Sequence, residues 1–152
     1  MDQTTAEMKV FDASCMPDSM EREKIIDFLF YNLEEYGDPR PDIADAMAYA
    51  LGETSPLGGY VITACDGENL RGAVILNRTG MEGYIPGNIL VYIATDKKYR
   101  GKGIGRKLMR KALELTGGSV ALHVEPQNPA KFLYEKMGFT NKYLEMRHKK
   151  ED

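Results

Sequence analysis

Apolar positions recur along this chain with two periods, and the alternation between those periods lays out a mixed α/β domain. Met8-Lys9-Val10-Phe11 predicts a short first strand. A helix follows Pro17, because Asp18 precedes Glu21 by the spacing at which an N-cap side chain and a reciprocal glutamate satisfy each other's backbone donors. Ile25, Ile26, Leu29, Phe30 and Leu33 form its apolar stripe, and Gly37 and Pro39 stop it. Pro41 to Leu51 predicts a second helix with proline in its first turn. Tyr60 to Ala64 and Gly72 to Leu76 flank Asp66-Gly67-Glu68-Asn69, a hairpin signal with a connection longer than the tightest two-residue turn. Ile89-Leu90-Val91-Tyr92-Ile93-Ala94 is unbroken apolar sequence, as in a strand buried on both faces.

Helical spacing returns at Ile104, Leu108, Ala112 and Leu115, with Arg106, Lys107, Arg110, Lys111 and Glu114 turned elsewhere, and Gly117-Gly118 closes the helix. Val120 to Val124 alternates as a strand, with His123 on the face opposite Val120, Leu122 and Val124. Pro129 opens a short helix carrying Tyr134 that ends at Gly138, and Phe139-Thr140 and Tyr143 to His148 supply final strands. The predicted order is β-α-α-β-β-β-α-β-α-β-β.

The junction between the buried strand and the amphipathic helix carries the chemistry. Tyr99-Arg100-Gly101-Lys102-Gly103-Ile104-Gly105-Arg106 is basic and poor in side chains. Glycines admit positive φ and close approach, a helix start leaves N–H groups unpaired, and the macrodipole adds positive potential there, so the stretch is built for an anion such as a pyrophosphate. It is not a P-loop, which requires a Gly-Lys-Ser/Thr ending. Nor is it a dinucleotide fingerprint, whose third glycine would fall where Arg106 stands.

Composition narrows the picture. The chain has 152 residues, 43% hydrophobic and 28% charged, which fits one globular domain spanning 1–152. The formal net charge of −3 argues against a generic nucleic-acid binder, and the positive charge is concentrated at Lys97-Lys98-Arg100-Lys102 and Arg106-Lys107-Arg110-Lys111. The same residues read equally as a solvated helix face. Cys15 and Cys65 lack metal-ligand or CxxC spacing, and no apolar signal segment or membrane span is present, so a cytoplasmic protein without a bound metal is expected.

Arg100-x-x-Gly103-x-Gly105 resembles the acyl-coenzyme A loop of the GNAT superfamily of N-acetyltransferases. A second stretch agrees: Asn128-Pro129-Ala130-Lys131-Phe132-Leu133-Tyr134-Glu135-Lys136-Met137-Gly138-Phe139 is similar to the later GNAT motif of Asn, a Tyr-bearing short helix and Gly-Phe. The resemblance covers residues 88 to 139 and otherwise extends only to the order of elements. It implies an α+β fold with a mixed, mostly antiparallel central sheet of about six to seven strands flanked by about four helices.

The resemblance also implies acetyl-coenzyme A as co-substrate and a small-molecule or peptide amine as acceptor, attacked directly in a ternary complex. Cofactor binding falls to Arg100, Gly101, Lys102, Gly103, Ile104, Gly105, Arg106 and Asn128. Ile93, Ala94 and Thr95 form the strand end along which the pantetheine arm would pair, with a backbone N–H near Ile93 or Ala94 aimed at the thioester carbonyl. Val120 to Val124 is the strand from which it splays. Tyr134 stands where the family places the acid for the departing thiolate, although a packed helix aromatic is its other reading. Glu82 and Glu125 are candidates for the base, and Tyr31, Tyr36, Tyr84 and Tyr92 for the lining of the acceptor pocket. Neither membrane nor nucleic acid is an expected partner, and a monomer or homodimer suffices. A coenzyme A-binding sensor without turnover, and a nucleotide-binding module, are the alternatives from other classes.

Overall fold

The computed structural model describes residues 6–150, and its sheet lies between two pairs of helices. Chain order is β1 (Glu7–Phe11), α1 (Ser19–Leu33), α2 (Arg40–Ala50), β2 (Gly59–Asp66), β3 (Asn69–Arg78), β4 (Asn88–Thr95), α3 (Ile104–Leu115), β5 (Val120–Leu122) and α4 (Lys131–Lys136), with short 3-10 turns at Glu34–Tyr36 and Lys97–Tyr99. The five strands follow in sequence order, antiparallel from β1 to β4, with β5 parallel to β4. The predicted capping box starts α1: Asp18 Oδ1 accepts the Glu21 N–H at 2.8 Å, and Glu21 Oε1 accepts the Asp18 N–H at 3.1 Å.

Strand alternation splits the core in two. Phe11, Val61 and Ile75 face α1 and α2, where Leu29, Ile43 and Met47 are fully buried. Ile62, Val74 and Leu76 face α3, where Leu108 and Met109 are fully buried. The unbroken apolar run of β4 contributes to both cores, as its composition predicts.

Two bulges shift the alternation. In the hairpin, Asp66 pairs with Asn69, leaving Gly67-Glu68 as a two-residue turn. The turn is therefore tighter than the sequence predicts. The extra length is absorbed inside the ladder, where Cys65 pairs with Leu70 and Ala64 with Gly72, so that Arg71 is the added residue. Gly67 at φ 62° supplies the positive angle that such a turn demands of its first central residue. In β4, Ile75 pairs with Tyr92 and Leu76 with Leu90, so Val91 is extra. Leu90 and Ile93 consequently pack toward α3, while Tyr92 and Ala94 pack toward α1 and α2. Strict alternation would have put Tyr92 on Leu90's face.

The strand count falls short of the expectation. Phe139-Thr140 and Tyr143 to His148 form no strand, and Tyr143, Leu144 and Met146 are 77%, 85% and 88% exposed. The edge they would have to join, β5, is only three residues long.

Candidate active site

The ladder between β4 and β5 is three pairs long: Asn88 with Val120, Ile89 with Ala121, and Leu90 with Leu122. Among the described residues, the side of β4 that faces β5 has no strand partner beyond Leu90, although β4 runs on to Thr95. The bulge at Val91 sits where the ladder stops. Ile93, Ala94 and Thr95 lie along this unpaired length and lead directly to the glycine loop.

The loop ends in a left-handed residue. Gly103 is the N-cap of α3 at φ 87°, and Gly101 takes φ 80°. A Cβ on either would meet no heavy atom within 4 Å, so the space beside the start of α3 is open, and the first helical turn has N–H groups without an intrahelical acceptor. Gly105 has a different reason to be glycine: its Cβ would stand 3.2 Å from Leu133 Cδ2 and 3.6 Å from Thr95 Cγ2, so α3, α4 and β4 meet there at close range. Lys102 and Arg106 are exposed on either side of Gly103 and Gly105 in the chain.

Arg100 is placed otherwise than a free anion ligand would be. Its Nη2 donates to the backbone oxygen of Asn32 at 2.8 Å, capping one of the orphan carbonyls at the end of α1, and its Nη1 approaches Glu34 Oε1 at 3.4 Å. Lys97 reaches Glu34 Oε2 at 3.2 Å. The Lys97 ammonium, and after it the Arg100 guanidinium, holds the Glu34 carboxyl below the ordinary carboxylate range. Arg71, the bulge residue of β3, lies over the Tyr99 ring at 3.9 Å and pairs with Asp96 at 3.1 Å, bracing the same loop from the other strand.

Tyr134 is buried in the α3-side core, edge-on to Phe139 at 6.1 Å between centroids. Among the described residues its hydroxyl has no hydrogen-bond partner. Burial pushes that hydroxyl up to about 12, so it is a fully protonated donor at neutral pH. Asn128 Oδ1 accepts the Ala130 N–H at 2.9 Å and so fixes the turn that starts α4.

On the α1 and α2 face, the Tyr92 hydroxyl donates to Asp38 Oδ2 at 2.6 Å. Burial first, and the bond to Asp38 second, raise the Tyr92 hydroxyl far above its ordinary range. The Tyr36 hydroxyl donates to the Gln127 carbonyl at 3.4 Å, linking the turn after α1 to the loop after β5. Tyr31 and Tyr84 are exposed, Tyr31 beneath the Lys97 ammonium, and Glu82, Glu125 and His123 are exposed as well. Asn32 and Asp38 carry these contacts although nothing in the local pattern singles them out: an asparagine late in a helix and an aspartate before a proline read as cap and turn residues.

A family model described as an acetyltransferase (GNAT) domain matches residues 57–141, which include the bulged strand, the glycine loop and the Tyr134 helix. The chain belongs to the GNAT acetyltransferase family. No curated protein matches its sequence. Among solved structures this GNAT domain is similar to PH1933 from Pyrococcus horikoshii OT3, at 27% identity over 92% of this chain and 93% of that one, with a TM-score of 0.67. It also shares its fold with a transcriptional regulator from Bacillus halodurans C-125, at 20% identity, 94% and 99% coverage and a TM-score of 0.68. A possible acetyltransferase from Clostridium difficile 630 matches at 16% identity, 97% and 98% coverage and a TM-score of 0.67. The expected mixed, mostly antiparallel fold is therefore present, with five strands. Among the described residues, no helix is long and apolar enough to cross a membrane.

Proposed function

We propose that this protein transfers an acetyl group from acetyl-coenzyme A to a primary amine by direct attack in a ternary complex. The observation that carries this reading is the parting of β4 from β5 after Leu90, which leaves unpaired strand backbone running into the glycine loop. An extended amide-bearing arm can pair with that backbone while its pyrophosphate meets the N–H groups of Gly101 through Gly105. The open space at Gly101 and Gly103 leaves room for the phosphates of this occupant. Acetyl-coenzyme A supplies an acyl carbon already activated as a thioester.

The chain's residues have separable roles. Lys102 and Arg106 add charge at the phosphate end, and Arg100 holds the loop against α1. Backbone N–H groups near Ile93 and Ala94 stabilise charge developing on the acyl oxygen. The acceptor ammonium first loses one proton to solvent; the freed amine nitrogen then bonds to the acyl carbon, the carbon–sulfur bond breaks, and the nitrogen gives up a second proton to water, which balances the one the sulfur gains. Tyr134 delivers its hydroxyl proton to the departing sulfur and is reprotonated from water, so the products are an amide, a free thiol and one proton. Every group named here belongs to one chain, so a monomer is sufficient.

The deciding experiment is a thiol-release assay with acetyl-coenzyme A and a panel of small amines and peptides. Amine-dependent release is expected, together with a rise in melting temperature on adding coenzyme A. Coenzyme A binding without release from any acceptor would replace the enzyme with a sensor, and absence of binding near millimolar ligand would remove the coenzyme A site altogether.

A further inference from the structure

We propose that the cleft between α1 and the neighbouring ends of β1, β2 and β3 binds an uncharged organic molecule the size of one six-membered ring, whose hydrogen-bond acceptor meets the hydroxyl of Thr63. The cleft has a volume of about 200 Å³. An apolar cavity of about 150 Å³ already admits benzene. Apolar surface comes from both layers of the fold: Phe11 of β1 and Ile25 of α1, both buried in the α1-side core, line the cleft together with Leu70 of β3. No residue of β4 or of the glycine loop lines it, so the site is separate from the strand end and helix start described above.

Thr63 lies in the middle of β2, paired with Lys9 on one side and Ala73 on the other, and alternation puts its side chain on the α1 face with Val61 and Ala73. It is only 2% exposed and yet lines the cleft. The Cys65 thiol approaches its Oγ1 at 4.0 Å as a weak donor, and among the described residues no atom accepts the Thr63 O–H. A hydroxyl withdrawn from water without an acceptor is costly, and an acceptor brought by a ligand removes that cost.

The charged residues that line the cleft cancel. Lys9 Nζ meets Glu21 Oε2 at 3.5 Å, and Lys24 Nζ donates to the backbone carbonyl of Glu68 at 3.0 Å, so two lysines stand against two glutamates. A carboxylate or ammonium entering here would give up its water for no net opposite charge, whereas an uncharged ring gives up only apolar hydration.

The test titrates tetrahydropyran, an unreactive six-membered ring with one ether oxygen, into the nitrogen-15-labelled protein. Saturable shifts are expected at the amides of Thr63, Cys65, Gly67 and Leu70, with Kd on the order of 1–10 mM and the glycine-loop amides unmoved. Cyclohexanecarboxylate should bind at least about threefold more weakly. Thr63→Val keeps the shape and removes the donor, so it should weaken tetrahydropyran about three- to tenfold without lowering the melting temperature. Thr63→Ser keeps the hydroxyl and should stay within about threefold of wild-type affinity. Absence of saturable shifts at the cleft in the wild type, tighter binding of the carboxylate, or equal tetrahydropyran affinity in Thr63→Val would overturn the proposal. So would a lower melting temperature in Thr63→Val, because it would mean that the protein itself satisfies the hydroxyl.

Discussion

The side-chain oxygen of Asn32 accepts the backbone N–H of Lys97 at 3.1 Å, joining the end of α1 to the exit of β4 across 65 positions of sequence. The same side chain donates from Nδ2 to the Phe28 carbonyl at 3.0 Å, and the residue's own carbonyl accepts from Arg100. One buried amide therefore positions the segment that leads into Gly101 and Gly103. Asn32→Ala should cost about 1–3 kcal/mol in urea unfolding, because it strands the Lys97 donor and empties a packed site. Coenzyme A affinity should fall several-fold in the still-folded variant, and calorimetry measures it. Unchanged affinity would mean the loop holds its shape without α1.

Gly103→Val should weaken acetyl-coenzyme A binding by well over about tenfold, since a branched side chain opposes φ 87° and also enters the open space before the helix. Far-ultraviolet circular dichroism should report an intact fold at a lower melting temperature. A folded variant with native affinity would move the phosphate site elsewhere.

Tyr134→Phe removes a hydroxyl that has no partner among the described residues while keeping the ring packed edge-on to Phe139. Turnover should fall roughly 10- to 1000-fold with cofactor affinity nearly unchanged, so the loss belongs to kcat. Full activity in the variant would leave Tyr134 a packing residue and give the thiolate's proton to water.

Alkaline stability follows from the sign of the tyrosine shifts. Tyr134 is raised by burial to about 12 from an ordinary value of 10.0, and Tyr92 is raised in the same direction. A folded value above the unfolded one stabilises fully below the unfolded value and is lost as pH climbs through the folded one. The melting temperature should therefore drop between about pH 10 and 12, and Tyr134→Phe should flatten that decline relative to wild type. Parallel curves for the two proteins would show that the hydroxyl is not buried in solution.

How much was legible beforehand varied with the range of the interaction. The Asp18 to Glu21 cap, the stripe of α3 and the full length of β4 were readable because each depends on residues a few positions apart. The C-terminal strands were misread: alternation at Tyr143 to His148 states a propensity, and a strand also needs an edge long enough to pair with. Arg100 was read as a phosphate ligand from its place in the motif, whereas its contacts run to Asn32 and Glu34, more than sixty positions away.

By itself the sequence determined which segments become helix or strand around the glycine loop, and where an anion would be welcome. Those properties arise from local backbone geometry, glycine freedom and the unpaired N–H groups of a helix start. Only the tertiary structure decided that the β4 and β5 ladder stops at Leu90, that Val91 bulges, and that Tyr92 thereby crosses to Asp38, 54 positions distant. The physical reason is register: a single added residue in one strand reverses the face of every side chain after it, and whether the strand absorbs that residue depends on the partner across the ladder.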